Sequence, residues 1–204
     1  MCCRYYFETN VEEQIQSDFR SRSGSFIDHL TREERKELFR KRDFAPSDLA
    51  PVLCRKGGEF CLVSCRWGYL VSGKESSLLI NARVETVEEK PLFCKAMKSR
   101  RLVVPASGFY EWNDKKEKSL FFSKDSSLLY LAGLYDLFQG EERFVILTTK
   151  ANESMKRVHD RMPLILSAHE VMDWIEDQRQ ADAILHMTPS ILSRRTPYEQ
   201  MNLF

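Results

Sequence analysis

Between residues 51 and 150 the chain is a close succession of short apolar runs rich in β-branched and aromatic residues, joined by polar turns. The clearest signal is Gly57-Gly58 between the runs at 52–56 and 59–67, which reads as a tight hairpin, because both turn positions need positive φ. In that hairpin Cys61, Val63 and Cys65 share one face. Further strands are expected at 78–80, 102–104, 108–112, 120–123, 128–137 and 143–149. The turns between most of them are too short for the crossover helices of a parallel βαβ sheet.

Helical patterns flank this region. Asn10 is expected to cap a segment with Glu13 at its third position, and Thr31 to do the same with Glu34 ahead of Leu38 and Phe39. Helices return at 152–158 and at 168–179, where Val171, Trp174 and Ile175 recur at helical spacing. Residues 188–204 carry no readable pattern. Helices, then strands, then helices make an α+β fold with a β-rich core. With 204 residues, 43% of them hydrophobic and 30% charged, the chain fills one core and is short for two ordinary domains. It has no internal repeat and no linker-like tract, so residues 1–204 are read as a single domain.

Composition narrows the function classes. The longest apolar stretches, 127–138 and 144–147, fall well short of the roughly 20 residues that span a bilayer. The opening Met1-Cys2-Cys3-Arg4 does not lead into a secretory signal, so a cytoplasmic location is expected and the six cysteines are read as reduced thiols. Cysteine spacing matches no usual zinc pattern, and neither metal nor cofactor is expected. A net charge of +1 leaves any affinity for nucleic acid to a local patch.

Four places carry candidate chemistry. Cys2 follows the initiator Met, and trimming of Met1 exposes a 1,2-aminothiol. Its α-amine (reference pKa about 7.7–8.0) and thiol (about 8.5) are both partly nucleophilic near neutrality. With an aldehyde the amine gives a Schiff base, onto which the thiol closes to form a thiazolidine. The bland alternative is an ordinary second residue. Asn81-Ala82-Arg83-Val84-Glu85-Thr86 follows an apolar run, where Asn81 can hold a reacting group and Arg83 a phosphate; the alternative is a helix cap with a surface arginine. Glu111 lies between Tyr110 and Trp112, flanks that desolvate a carboxylate and suit it to proton transfer, unless it is a strand glutamate facing solvent. His159-Asp160-Arg161-Met162-Pro163 sets an imidazole at the mouth of a strand, the placement of a proton shuttle. His29, His169 and His186 have nothing comparable around them.

Together with Arg4, Ala45-Pro46 and Trp67-Gly68-Tyr69, these motifs resemble, in order, the SOS-response-associated peptidase (SRAP) family. The resemblance runs from the first residue to about residue 166. It implies a barrel-like sheet with flanking helices, a basic groove for single-stranded DNA, and a thiazolidine crosslink between the N-terminal cysteine and a ring-opened abasic sugar. On that reading Cys2 is the nucleophile, Asn81 orients it and the sugar, Glu111 moves protons, and His159 assists ring opening and reversal. Arg4, Arg83 and Arg161 are candidate phosphate contacts, and Trp67 a stacking platform. The partner is single-stranded DNA bearing abasic sites, met by a monomer at the nucleoid. Self-processing of Met1, lyase-type behaviour and crosslink reversal are also implied.

The chain departs from the family pattern at Cys3, where glycine is usual, at Asp43, where asparagine is usual before Phe44-Ala45-Pro46, and in a divergent segment from 190 to 204. Two competing readings stay open. One is a peptidase or amide hydrolase using Cys2 with its own amine or His159 as base. The other is a non-covalent single-strand binder relying on Arg83, Arg100, Arg101 and aromatic platforms.

Overall fold

The computed structural model of the chain describes residues 3–20, 26–71 and 78–197. The first fifth contains the two expected helices, interleaved with three short strands: β1 (Tyr5–Phe7), α1 (Val11–Phe19), β2 (Phe26–Asp28), α2 (Arg32–Leu38) and β3 (Arg42–Phe44). At α2 the capping box forms in full. The Glu34 backbone N–H donates to Thr31 Oγ1 at 3.1 Å, and the Thr31 N–H donates to Glu34 Oε2 at 2.9 Å. The Thr31 N–H, with the hydroxyls of Thr31 and Ser64, holds the Glu34 carboxyl below its ordinary range. At α1 the expected cap does not form, because Asn10 sits in the left-handed region (φ 66°) and its side chain makes no capping bond. A capping side chain works from extended backbone; here the residue serves as a tight turn between β1 and α1.

The hairpin follows as β4 (Leu49–Lys56) and β5 (Glu59–Trp67), joined by Gly57 (φ 58°) and Gly58 (φ 91°). Cys61, Val63 and Cys65 share a face opposite Cys54, Val52 and Ala50. Burial pushes the Cys54 thiol up to about 12, which makes it a poor nucleophile. Beyond lie β6 (Tyr69–Leu70), β7 (Leu78–Leu79), β8 (Asn81–Arg83), a 3-10 turn at Val84–Thr86, and α3 (Pro91–Ser99), a helix that sequence reading missed. Its Pro91 occupies the first turn, where the missing N–H costs nothing.

Then come β9 (Arg101–Ala106), β10 (Gly108–Trp112), β11 (Lys118–Phe122), β12 (Leu129–Phe138) and β13 (Glu141–Lys150). Strands β4, β9, β12 and β13 pair antiparallel in sequence around the sheet, and β13 meets β5 in parallel at Phe144↔Trp67 and Arg143↔Arg66. That last pairing closes a ring of five strands, β5-β4-β9-β12-β13. Closure leaves these strands buried along most of their length rather than alternating.

After β13 the expected helix at 152–158 is absent, and hydrogen-bonded turns take its place. The backbone bonds here come in two separate turns, Met155 and Lys156 N–H to the Asn152 carbonyl and Val158 and His159 N–H to the Met155 carbonyl. The segment is tied instead to the later chain, where Asn152 Nδ2 donates to the carbonyls of Pro189 (2.8 Å) and Ser190 (3.1 Å). Next are β14 (Arg161–Pro163), β15 (Ile165–Leu166), α4 (Glu170–Glu176) and α5 (Gln178–Leu185). Asp177 splits the single helix expected at 168–179. Its backbone is extended and its Oδ1 caps α5 through Arg179 N at 2.7 Å. Finally β16 (Ser193–Arg195), in the stretch that gave no sequence signal, pairs with β11.

A second, antiparallel sheet runs β16-β11-β10-β1-β3. Gly108 opens β10 where no side chain fits: an added Cβ would lie 2.5 Å from the Phe121 carbonyl oxygen and 2.7 Å from the Tyr6 ring. Gly108→Ala is therefore expected to lower stability by about 1–3 kcal/mol, read as an earlier denaturant midpoint. The α+β class with a barrel-like sheet and flanking helices is thus the observed fold. Among the described residues no helix is long and apolar enough to cross a membrane.

Candidate active site

The site is assembled at the N-terminal end of β1. Cys2 lies outside the described residues. From Cys3 onward the β1–β10 ladder continues toward the N-terminus through Tyr110 N–H to the Arg4 carbonyl at 2.9 Å. This brings Cys3 beside Glu111: its thiol is pushed up first by burial and then by the Glu111 charge. The residue where the family usually has glycine is thus a largely protonated thiol, and a poor competitor for the nucleophile's role.

Glu111 is 3% exposed, and no other carboxylate among the described residues is as enclosed. Tyr110 and Trp112 are half-buried on the opposite face of the strand, while Glu111 points inward across from the buried Ser119. One oxygen, Oε1, accepts the Trp112 N–H at 3.2 Å. The solvent-facing alternative is excluded by this burial.

Asn81 begins β8 and is also buried. It is reached from β1 through aromatic packing. Tyr5 stacks on Phe44 (4.8 Å) and tilts against Trp67 (5.3 Å), whose indole N–H donates to the Ile80 carbonyl at 3.0 Å. Trp67 is 0% exposed, so the expectation that it stacks on a base needs correction. An indole closed in by Tyr5 and Phe144, with its N–H used internally, fixes the distance between β1 and β8 and offers no face to a ligand.

His159 lies in the turn before β14. Its Nδ1 accepts the Arg161 backbone N–H at 2.9 Å, which puts the proton of the neutral ring on Nε2. Asp160 Oδ1 is 2.8 Å from the same Nδ1, ready to accept if that nitrogen gains a proton. These are alternative states of one nitrogen, and the backbone donor describes the neutral ring.

The three candidate phosphate contacts differ. Arg83 is exposed at the end of β8. Arg4 is partly exposed, with Nη1 3.9 Å from Asp43 Oδ2. Arg161 is 7% exposed and is spent internally, as a bidentate pair with Glu85 (2.5 and 2.9 Å) and as a donor to the Thr148 carbonyl, so it is not a solvent-facing phosphate ligand. The sequence carried a signal for that pairing: an acid in one motif and a base in the other.

Asp43, the second departure, also hydrogen-bonds Tyr110 Oη at 3.3 Å; burial first, and then Asp43, push that phenol up to about 12. Replacing Asp43 by asparagine removes a negative charge beside Arg4.

The family model for SOS response associated peptidase (SRAP) matches residues 1–202. The chain belongs to the SRAP family. It is 34% identical over 171 residues to the abasic site processing protein YoaM of Bacillus subtilis (strain 168), a match covering 74% of this chain and 75% of that one. To the abasic site processing protein YedK of Escherichia coli (strain K12) it is 28% identical over 141 residues, covering 66% and 64%. It also resembles the abasic site processing protein HMCES of Xenopus tropicalis, at 29% over 153 residues, covering 58% and 46%. Among solved structures, the SRAP chain superposes on a Bacteroides thetaiotaomicron protein with a TM-score of 0.76 at 20% identity, over 96% of this chain and 91% of that one. It also superposes on a phage-related protein of Bordetella bronchiseptica with a TM-score of 0.76 at 22% identity, over 97% and 95%. At these identities the two structures bear on the fold.

Proposed function

We propose that this SRAP protein senses and shields abasic sites in single-stranded DNA by forming a thiazolidine crosslink through Cys2 after Met1 is removed. The observation that carries this reading is the buried Glu111 beside Cys3, one residue from the aminothiol, in a chain similar to proteins named for abasic site processing.

The chemistry balances without a cofactor. The α-amine of Cys2 adds to the C1′ aldehyde of the ring-opened sugar and water leaves, giving a Schiff base. The thiol then adds across the C=N bond, sulfur to carbon and proton to nitrogen, closing the five-membered ring. Glu111 takes the proton from the α-ammonium so that the amine can attack, and returns one when water departs. His159, with its neutral-state proton on Nε2, is the donor toward the sugar ring oxygen during opening, and the same donor serves reversal. Asn81 orients the amine and the sugar. Arg4 and Arg83 hold the flanking phosphates. Met1 must leave first, since an acylated nitrogen cannot form the imine; hydrolysis of the Met1–Cys2 bond by the protein itself is the self-processing step, and loss of the C2′ proton from the Schiff base with departure of the 3′ phosphate, forming a C2′–C3′ double bond, is the lyase-type outcome.

The test separates amine from thiol. Protein lacking Met1 is incubated with single-stranded DNA carrying one abasic site and resolved under denaturing conditions. Wild type should give an adduct that survives without reductant, Cys2→Ser an adduct recovered only after borohydride reduction, and unmodified DNA no adduct. Equal adduct yield from Cys2→Ala without reductant would rule the mechanism out and leave passive binding as the better account.

A further inference from the structure

We infer that Arg161 is a positioning residue: clamped by Glu85, it holds the Asn81 strand and the His159 turn in register on opposite edges of β13. The inference rests on the covalent-capture reading above.

Strand β8 pairs with β13 through Asn81↔Ile146 and Arg83↔Thr148, and β14 pairs with β13 through Arg161↔Lys150 and Pro163↔Thr148. Thr148 therefore faces Arg83 in one neighbour and Pro163 in the other. Arg161 spans this junction. Its guanidinium donates to the Thr148 carbonyl at 2.5 Å and forks onto both oxygens of Glu85, in the 3-10 turn directly after β8. Thr148 Oγ1 completes the link by donating to the Ala82 carbonyl at 3.3 Å. Through its backbone N–H, the same Arg161 fixes the His159 ring. One residue thus grips His159 with its main chain and the segment following Asn81 with its side chain.

The geometry favours a clamp over a phosphate contact. The Arg161 side chain is 9% exposed and two carboxylate oxygens already occupy its fork, whereas Glu85 is 39% exposed. A lysine keeps the charge but cannot reproduce the fork. Hydrogen bonding from Arg161 holds the Glu85 carboxyl below its ordinary range, so the pair is intact at neutral pH and weakens only as acid protonates Glu85.

The experiment measures the rate of adduct formation on abasic single-stranded DNA for wild type, Glu85→Gln, Arg161→Lys, His159→Ala and the double variant Glu85→Gln/His159→Ala. Non-covalent binding of intact single-stranded DNA is measured in parallel. Glu85→Gln and Arg161→Lys should each slow adduct formation about 10- to 100-fold, the cost of an ångström-scale misplacement, with non-covalent affinity unchanged. In the double variant the Glu85→Gln change should cost less than it does in the wild-type background, because part of the clamp's effect passes through the histidine and the rest through the Asn81 strand. Full rate in Arg161→Lys, or independent losses that multiply in the double variant, would overturn the inference while leaving covalent capture standing. A wild type that forms no adduct would remove both. Glu85→Gln, isosteric and half-exposed, guards against a result that reports unfolding.

Discussion

Glu111→Gln is expected to slow adduct formation on abasic single-stranded DNA by about 100- to 10,000-fold while leaving non-covalent binding of intact DNA unchanged. The substitution keeps the shape of the side chain and removes its ability to accept a proton. At 3% exposure Glu111 has little solvent to relay protons in its place. The amide oxygen can still accept the Trp112 N–H, and a neutral amide costs less to bury than a carboxylate, so stability should hold. A quenched time course reads the rate, and melting confirms the fold. A loss of less than about threefold would show that proton transfer at Glu111 does not limit the reaction, and the role would pass to His159 or to the amine itself.

The largest expected effect on stability lies far from the chemistry, at Arg101. This arginine is 5% exposed and its guanidinium lies among helix ends: it donates to the carbonyls of Met97 (2.7 Å) in α3 and of Trp174 and Ile175 (3.2 Å) in α4, and to Gln178 Oε1 at 2.6 Å. Helices leave their last carbonyls without intrahelical partners, and Arg101 satisfies those of two helices at once. Arg101→Met fits much of the volume but strands these acceptors in a dry interface, at a cost of about 3–5 kcal/mol. For a chain of this size that lowers the melting temperature by roughly 6–20 °C. A drop of under about 2 °C would mean that water reaches the carbonyls. Sequence reading had offered Arg101 to a single-strand binder; its burial against α4 removes it from any such surface.

That misreading marks the boundary of what the sequence made legible. Features fixed by neighbours in the chain were readable: the Thr31 capping box and the Gly57-Gly58 turn. Glu111 does point inward, but its aromatic flanks are not the cause, since Tyr110 and Trp112 lie on the other face of the strand. Features decided by distant partners were not. Closure of the ring depends on Phe144 meeting Trp67, and β16 forms only because the edge of β11 is open to it. The exposed roles expected of Trp67 and Arg161 failed for the same reason, since each is enclosed by residues remote in sequence. Asn152 and Asp177 lie between: both belong to the residue types that cap and turn, yet Asp177 accepts from the nearby N–H groups of Arg179 and Gln180, whereas Asn152 also donates to carbonyls remote in sequence.

The central claim is that an N-terminal aminothiol at Cys2 bonds covalently to the abasic sugar, and intact-mass spectrometry tests it most directly. A preparation containing both Met1-bearing and Met1-free chains is incubated with single-stranded DNA carrying one abasic site and weighed without reductant. The account requires that the Met1-free species alone shift by the mass of the oligonucleotide less one water. A shift shared equally by the Met1-bearing species, or no shift in either, would contradict it.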